Sequence, residues 1–354
     1  MSITPFSNTV DLRSDTVTLP TESMYDRMRQ APLGDDGLDG DPTAVELEQY
    51  TAKLLGKPAG LYAPSATMAN LLAILAQASR QDVVIAGSGS HIYTAERGAA
   101  AITGAFYQPI PDPQGALDLA SLQATLASTK GGLKVRLVCV ETSHNNEGGA
   151  VASLDHMRQV FELARAADAR VHLDGARLFN AALALNVPAS SIAAQADTVS
   201  VCLSKGLSAP MGAVLVGPVE TVQRARWLRK LLGGSQRQVG IAAAAGLEAL
   251  QSMVDRLSQD HACARLLADG LASVATLRIK NPQTNIVQVD VLATGRTAQQ
   301  WETSLRSQGV LVRPWGPTLM RCVTHRHVSE SGIRTAVEVF KAVAAERSTH
   351  VRGS

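Results

Sequence analysis

The chain has 354 residues, of which 45% are hydrophobic, 18% charged and 4% aromatic, with a formal net charge of +2. This composition supports a large buried core and excludes a disordered chain. The balanced charge and scarce aromatics argue against nucleic-acid or membrane-surface partners, and no uninterrupted apolar run reaches the length of a membrane span.

At roughly 100–200 residues per domain, the length predicts about two domains. The opening residues, MSITPFSNTVDLRSD, lack a basic stretch followed by an apolar core, so no secretory leader is expected. Cys139, Cys202, Cys263 and Cys322 form no CxxC pair and no zinc spacing. Cys139 and Cys202 sit in the apolar runs VRLVCVE and TVSVCLSK, which read as buried thiols of a reducing, cytoplasmic compartment.

A short apolar piece at 61–63 precedes Ser65 and Thr67, which open the Leu- and Ala-rich run MANLLAILAQAS, predicted to be a buried helix. Strands are predicted at DVVIA (82–86), VRLVCV (135–140), ARVHL (169–173) and TVSVCL (198–203), with an amphipathic helix at MRQVFELARAADA. The alternation predicts an α/β fold whose mostly parallel sheet is covered on both faces. TVQRARWLRKLL reads as a basic helix ending at Gly233 and Gly234, and IAAAAGLEALQSMVDRL as a long helix leading into a smaller domain. In that domain LRIKN, NIVQVDV, GVLVRPW and LMRCVTH are predicted strands of an α+β fold.

Functional groups of open α/β sheets gather beyond the carboxyl ends of the strands. Four polar clusters lie there: GSGSHIYTAE, ETSHNNEGG, DGARLFN and SKGLSAP. All four are expected at one crevice. Lys205, directly after a strand, is placed where desolvation favours the neutral amine that forms Schiff bases. The plainer reading is a solvated lysine. Asp174 ends another strand, and a buried carboxylate needs a cation or several donors. Arg177 is one candidate cation, and a protonated pyridine nitrogen is another. Ser65, Ala66 and Thr67 at a helix start suit either a plain cap or a phosphate cradle. His91 suits a structural role, stacking on a ring, or proton transfer. The order cradle, ring, carboxylate, lysine suits an aspartate-aminotransferase-like pyridoxal-phosphate fold.

The pieces DLRSDTVTLPT, LGDD, SATMAN, SHIYTAE, HLDGARLFNA, SVCLSKGLSAPMG, RKLLGG, RQVGI, QTNIV and RCVTH run along almost the whole chain. With them the sequence resembles the threonine aldolase family of fold-type I pyridoxal-phosphate enzymes. The resemblance implies an N-terminal segment (1–20) that reaches the active site, a large cofactor domain (21–248) and a small C-terminal domain (249–350). It implies reversible retro-aldol cleavage of L-threonine, L-allo-threonine and related L-β-hydroxy-α-amino acids to glycine and an aldehyde. Lys205 would carry the cofactor, with Ser204 beside it. Asp174 would pair with the ring nitrogen, His91 would stack on the ring, and Ala66 and Thr67 would hold the phosphate. Arg177, Arg321 and Ser14 would clamp the substrate carboxylate, with His144 near its β-hydroxyl and Tyr93 on the substrate side. Lys230 and Arg237 match basic positions near a neighbouring subunit's phosphate. A homo-oligomer with shared sites, a dimer or tetramer, is expected, and no catalytic metal.

Three departures stand out. Ala66 replaces a usual glycine at the cradle. Leu38 and Gly40 replace a tyrosine and a glutamate of the acidic loop, and Gly-Gly-Ser-Gln-Arg-Gln replaces a usual Gly-Gly-Gly-Met-Arg-Gln. The tyrosine's loss opens the alternative of an aldolase for bulky or α-substituted β-hydroxy amino acids. Racemisation or transamination on the same scaffold is the other alternative.

Overall fold

The computed structural model describes residues 9–128 and 133–346. The chain forms two compact units, one from Leu19 to Asp255 and the other from the segment up to Thr18 together with Arg256 onward. The first strand, β1 (Val10–Asp11), belongs to the second unit.

The larger unit is built on β2 (Ala59–Ala63), β3 (Asp82–Gly87), β4 (Phe106–Ile110), β5 (Lys134–Glu141), β6 (Arg170–Gly175), β7 (Thr198–Cys202) and β8 (Ala213–Gly217). They form one seven-stranded sheet in the order β2-β8-β7-β6-β5-β3-β4. Only β8 runs antiparallel to its neighbours. Every residue of β7 and β8 is buried, as expected of strands covered on both faces. The predicted strands at 82–86, 135–140, 169–173 and 198–203 correspond to β3, β5, β6 and β7. The run MANLLAILAQAS forms the helix Ala66–Gln77, capped by Ser65, whose Oγ accepts from the Met68 N–H. MRQVFELARAADA lies within and just beyond the helix Leu154–Ala166.

Sequence reading did not identify β4 or β8. β4, FYQPI, carries Pro109 and pairs only with β3, so it is the sheet edge where a missing N–H is tolerated. The two units divide between Asp255 and Arg256, not within a linking helix. The helix Gly240–Ser252 lies wholly in the larger unit, against the helices Glu22–Gln30 and Pro42–Leu54. A Cβ on Gly240 would lie 2.4 Å from Asp41 Oδ1, so this packing requires glycine.

The smaller unit holds β9 (Arg278–Lys280), β10 (Ile286–Asp290), β11 (Val310–Leu311), β12 (Arg313–Pro314) and β13 (Leu319–Val323). The antiparallel sheet has the order β12-β13-β10-β9, and β1 pairs in parallel with β11. Its core includes Leu12, Trp301 and Phe340, with the last two rings stacked at 6.0 Å. Among the described residues no helix is long and apolar enough to cross a membrane.

Candidate active site

At the carboxyl end of the large sheet, Asp174 closes β6 and is 1% exposed. Its Oδ2 accepts from Asn70 Nδ2 at 2.9 Å, and its Oδ1 accepts from the Ala176 N–H at 3.0 Å. Asn70 projects from the helix Ala66–Gln77. Its Oδ1 accepts from Ser200 Oγ at 2.6 Å and faces His172 Nε2 at 3.0 Å. Burial pushes the His172 imidazole down to about 4, so the ring is neutral. Nε2 must then carry its one proton, and Nδ1 accepts from Thr198 Oγ1 at 3.0 Å. Thr198 in turn accepts from Gln77 Nε2. Every donor in this chain points toward Asp174. The network fixes the carboxylate without supplying a positive charge.

Arg177 Nη1 donates to Asn145 Oδ1 at 3.3 Å. A buried carboxylate oriented by neutral donors is suited to a cation arriving with a ligand.

The polar strand ends meet as expected. Glu141, at the end of β5, accepts from the His91 N–H at 2.6 Å and the Asn145 N–H at 2.8 Å. Thr142 N–H donates to the Asp174 carbonyl, and Asn146 Nδ2 to the Gly89 carbonyl. Lys205 follows β7, the neighbour of β6, and its carbonyl accepts from the Ser208 N–H. Ser204 precedes it, half-buried. Gly212 N–H donates to the Pro64 carbonyl, which ties this loop to the helix start at Ser65. Ala66 and Thr67 are the first two residues of that helix, where N–H groups have no intrahelical acceptor.

The two imidazoles differ. His91 is partly open, with a side chain 39% exposed, and its Nδ1 lies 2.8 Å from Glu96 Oε1. That hydrogen bond raises its pKa above the ordinary value, against the opposing effect of burial. Asn70 Nδ2 also approaches Glu96, at 3.3 Å. His91, Glu96 and Asp174 present ligand-type atoms within 4.8 Å of one another. The Asn70 amide stands against both carboxylates, a donor where a metal ion would need lone pairs.

His144 is enclosed, at 1% exposure, and so does not line the open crevice. Its Nε2 lies 2.9 Å from Asp112 Oδ2. Asp112 Oδ1 accepts from the Gly89 N–H at 2.9 Å and from Ser88 Oγ at 3.1 Å. A Cβ on Gly87 would lie 2.1 Å from Asp112 Oδ2, and one on Gly115 would lie 2.6 Å from His144 Cβ. Two glycines therefore make room for this pair.

Ser14 and Arg321 lie in the smaller unit, brought together by β1 and β13. Arg321 Nη2 donates to the carbonyl of Arg13, and its guanidinium lies 4.0 Å above the Trp315 ring. Ser14 Oγ accepts from Thr16 Oγ1 at 2.9 Å. Tyr93 is half-buried against an apolar cluster that includes Ile74 and Val84. Lys230 is exposed, and Arg237 pairs with Asp35 at 3.3 Å. Leu38 stands 78% exposed on a turn closed by N–H groups of Leu38 and Gly40 to the Asp35 carbonyl.

Comparison with known proteins agrees with this arrangement. A family model described as beta-eliminating lyase matches residues 11–294. The chain is 38% identical to low-specificity L-threonine aldolase 1 of Arabidopsis thaliana, over 94% of this chain and 95% of that protein. The chain belongs to the threonine aldolase family. The threonine aldolase of Leishmania major has the same fold, with a TM-score of 0.80 at 19% identity over 95% of this chain and all of that one. A structure of SPT with PLP superposes at a TM-score of 0.75 and 19% identity, covering 94% of this chain and 87% of that one. The fold is thus that of the fold-type I enzymes.

Lys205, Asp174, His91 and the start of the Ala66 helix all lie in the larger unit. Asn70, Glu96, Glu141 and Asp112 were not singled out from sequence. Asn70 lies inside the quoted SATMAN motif and Glu96 inside SHIYTAE, five residues after His91. Those motifs were the only sequence signal for them.

Proposed function

We propose that this chain is a pyridoxal-phosphate-dependent aldolase that cleaves L-threonine, L-allo-threonine and related L-β-hydroxy-α-amino acids to glycine and an aldehyde. The observation that carries the reading is Asp174: a buried carboxylate at the end of β6, oriented by the neutral donors Asn70 and the Ala176 N–H. The residues present fit the cofactor. The bound cofactor supplies a ring that accepts the electrons of a breaking bond at the substrate's α-carbon.

Lys205 would hold the cofactor covalently through its amine, with Ser204 in the turn that presents it. Asp174, buried and held in orientation by Asn70, would favour a proton on the ring nitrogen. Ala66 and Thr67 direct helix-start amides at the phosphate. Alanine suits this position, which is ordinary helical backbone after the Ser65 cap. His91 covers the ring, with its orientation set by Glu96. Arg177 would bind the substrate carboxylate by charge-assisted hydrogen bonds, a role the family resemblance gives also to Arg321 and Ser14. Held by its carboxylate, the substrate would present its Cα–Cβ bond, not Cα–H, for cleavage. Glu96 favours a proton on His91, which suits an orienting group. The β-hydroxyl proton passes instead through a held water to the Asp112–His144 pair, since the His144 ring does not itself line the crevice.

The active form is a homo-oligomer of site-sharing subunits, a tetramer built from dimers, working in the cytoplasm. Lys230 and Arg237 face the neighbouring site in that assembly, and Tyr93 lies on the substrate side.

The test is an absorbance spectrum of the purified protein combined with an aldehyde assay. A cofactor band lost in Lys205→Ala, with aldehyde released from L-threonine or L-allo-threonine, is expected. A cofactor band with no aldehyde, together with conversion between alanine enantiomers, would overturn the aldolase reading in favour of racemisation.

A further inference from the structure

Beneath the loop that follows β5 lies a small cavity of about 20 Å³, between the sheet and the helix Leu154–Ala166. Its floor is apolar, with Met157, Val160 and Leu173. Among the polar side chains that also line it, beside Ser90, Asp112 and Glu141, are Thr142, His144 and His156. The last three each carry a buried atom without a hydrogen-bond partner, namely Thr142 Oγ1, His144 Nδ1 and His156 Nε2. Orphaned polar atoms are rare in folded proteins, and three around one cavity call for a common partner.

The volume selects that partner. A site for one water needs at least roughly 10–15 Å³, and a buried water makes about three hydrogen bonds. The donor and acceptor count matches as well. Asp112 fixes the Nε2–H form of neutral His144, which leaves a lone pair on Nδ1. A water there can donate one O–H to His144 Nδ1 and the other to His156 Nε2, and accept from the Thr142 hydroxyl.

We propose that this cavity is a water-binding site, and that its water carries protons between the enclosed His144 and the half-buried His156. His144, at 1% exposure, has no direct exchange with solvent. His156, in the first turn of its helix, is partly open. A protonated His144 gives its Nδ1 proton to the water oxygen as the water's other proton passes to His156 Nε2. The water is regenerated and one charge has moved. The return path is the same step reversed. Charged groups facing His144 are Asp112, Glu141 and Glu147, and the one facing His156 is Asp155. Burial lowers the His156 pKa, whereas Asp112 overcomes burial to raise that of His144, so the shared proton rests at the Asp112 end.

The water site stands on geometry alone. Only its use in clearing the β-hydroxyl proton rests on the aldolase reading. The test therefore reads the imidazoles of the cofactor-loaded full chain without substrate. A high-resolution crystal structure should place one water within about 3.2 Å of all three atoms. Imidazole nitrogen NMR should report His144 as the Nε2–H form, and its exchange with solvent should slow at least tenfold in His156→Leu. Thr142→Val, which keeps both imidazoles, should slow it less, and it carries the test if His156→Leu fails to fold. A dry cavity, or an exchange rate unchanged in both variants, overturns the proposal whether or not the enzyme proves to be an aldolase.

Discussion

Asn70 bonds a neutral imidazole with one end of its amide and a buried carboxylate with the other: Oδ1 lies 3.0 Å from His172 Nε2 and Nδ2 lies 2.9 Å from Asp174 Oδ2. Replacing it with leucine strands the His172 N–H and the Ser200 hydroxyl inside the protein. Each buried group left unpaired costs about 1–3 kcal/mol. Asn70→Leu should therefore lower the urea midpoint, and it should weaken cofactor binding at least tenfold by loosening Asp174. An unchanged midpoint would show that the network contributes nothing.

The His91–Glu96 contact predicts a pH effect with a definite sign. The His91 pKa is raised, chiefly by the Glu96 hydrogen bond, so the stability it contributes is complete below about pH 6.5. That contribution is lost as pH rises through the raised value. NMR titration of Glu96→Gln should move His91 downward, and the stability gap between wild type and variant should narrow at alkaline pH.

The Asp112–His144 pair is bounded on both sides. Burial alone would raise the Asp112 carboxyl, but the His144, Gly89 and Ser88 hydrogen bonds outweigh it and hold the group below 3.8. Its contribution is present above about pH 4 and falls away as pH drops through the lowered value. The contribution of His144, whose pKa is raised, is complete below about pH 6.5 and is lost as pH rises through that value. Asp112→Asn should accordingly cost most stability between about pH 4 and 6.5. Denaturation midpoints across pH 3–9 check this, and a flat difference would contradict the pairing.

Arg321 supplies a fourth test. The central carbon of its guanidinium lies 4.0 Å from the centre of the Trp315 ring while one nitrogen reaches the Arg13 carbonyl. Lysine keeps the charge but not the planar fork. Arg321→Lys should raise KM for threonine by about tenfold or more with a smaller effect on kcat, and should alter Trp315 fluorescence. Unaltered KM would remove Arg321 from the carboxylate clamp.

The parts of this protein legible in sequence were those written locally. Buried β-branched runs gave β3, β5, β6 and β7, and strand-end polar clusters marked the crevice. The edge strand β4 was hidden because Pro109 and the exposed Phe106 weaken its pattern. Partnerships across the chain were hidden for a different reason. Asn70 and Asp174 lie 104 positions apart, and Asp112 and His144 lie 32 apart, so no spacing rule links them. His144 was expected near the substrate hydroxyl, yet its ring is drawn inward by a carboxylate that sequence reading had left unremarked.

The pairing of Val10 with Val310 bears on how the protein is made. Leu12, 0% exposed in the finished fold, is synthesised well before its backbone partners Leu311 and Val323. At roughly 5–20 residues per second, the intervening 300 positions take about 15–60 s to synthesise. The larger unit can collapse during that interval, but the smaller one cannot close until residues 310–323 have been made. The nascent β1 segment waits without its partner strand for all of that time, which makes it a natural client for a holding chaperone.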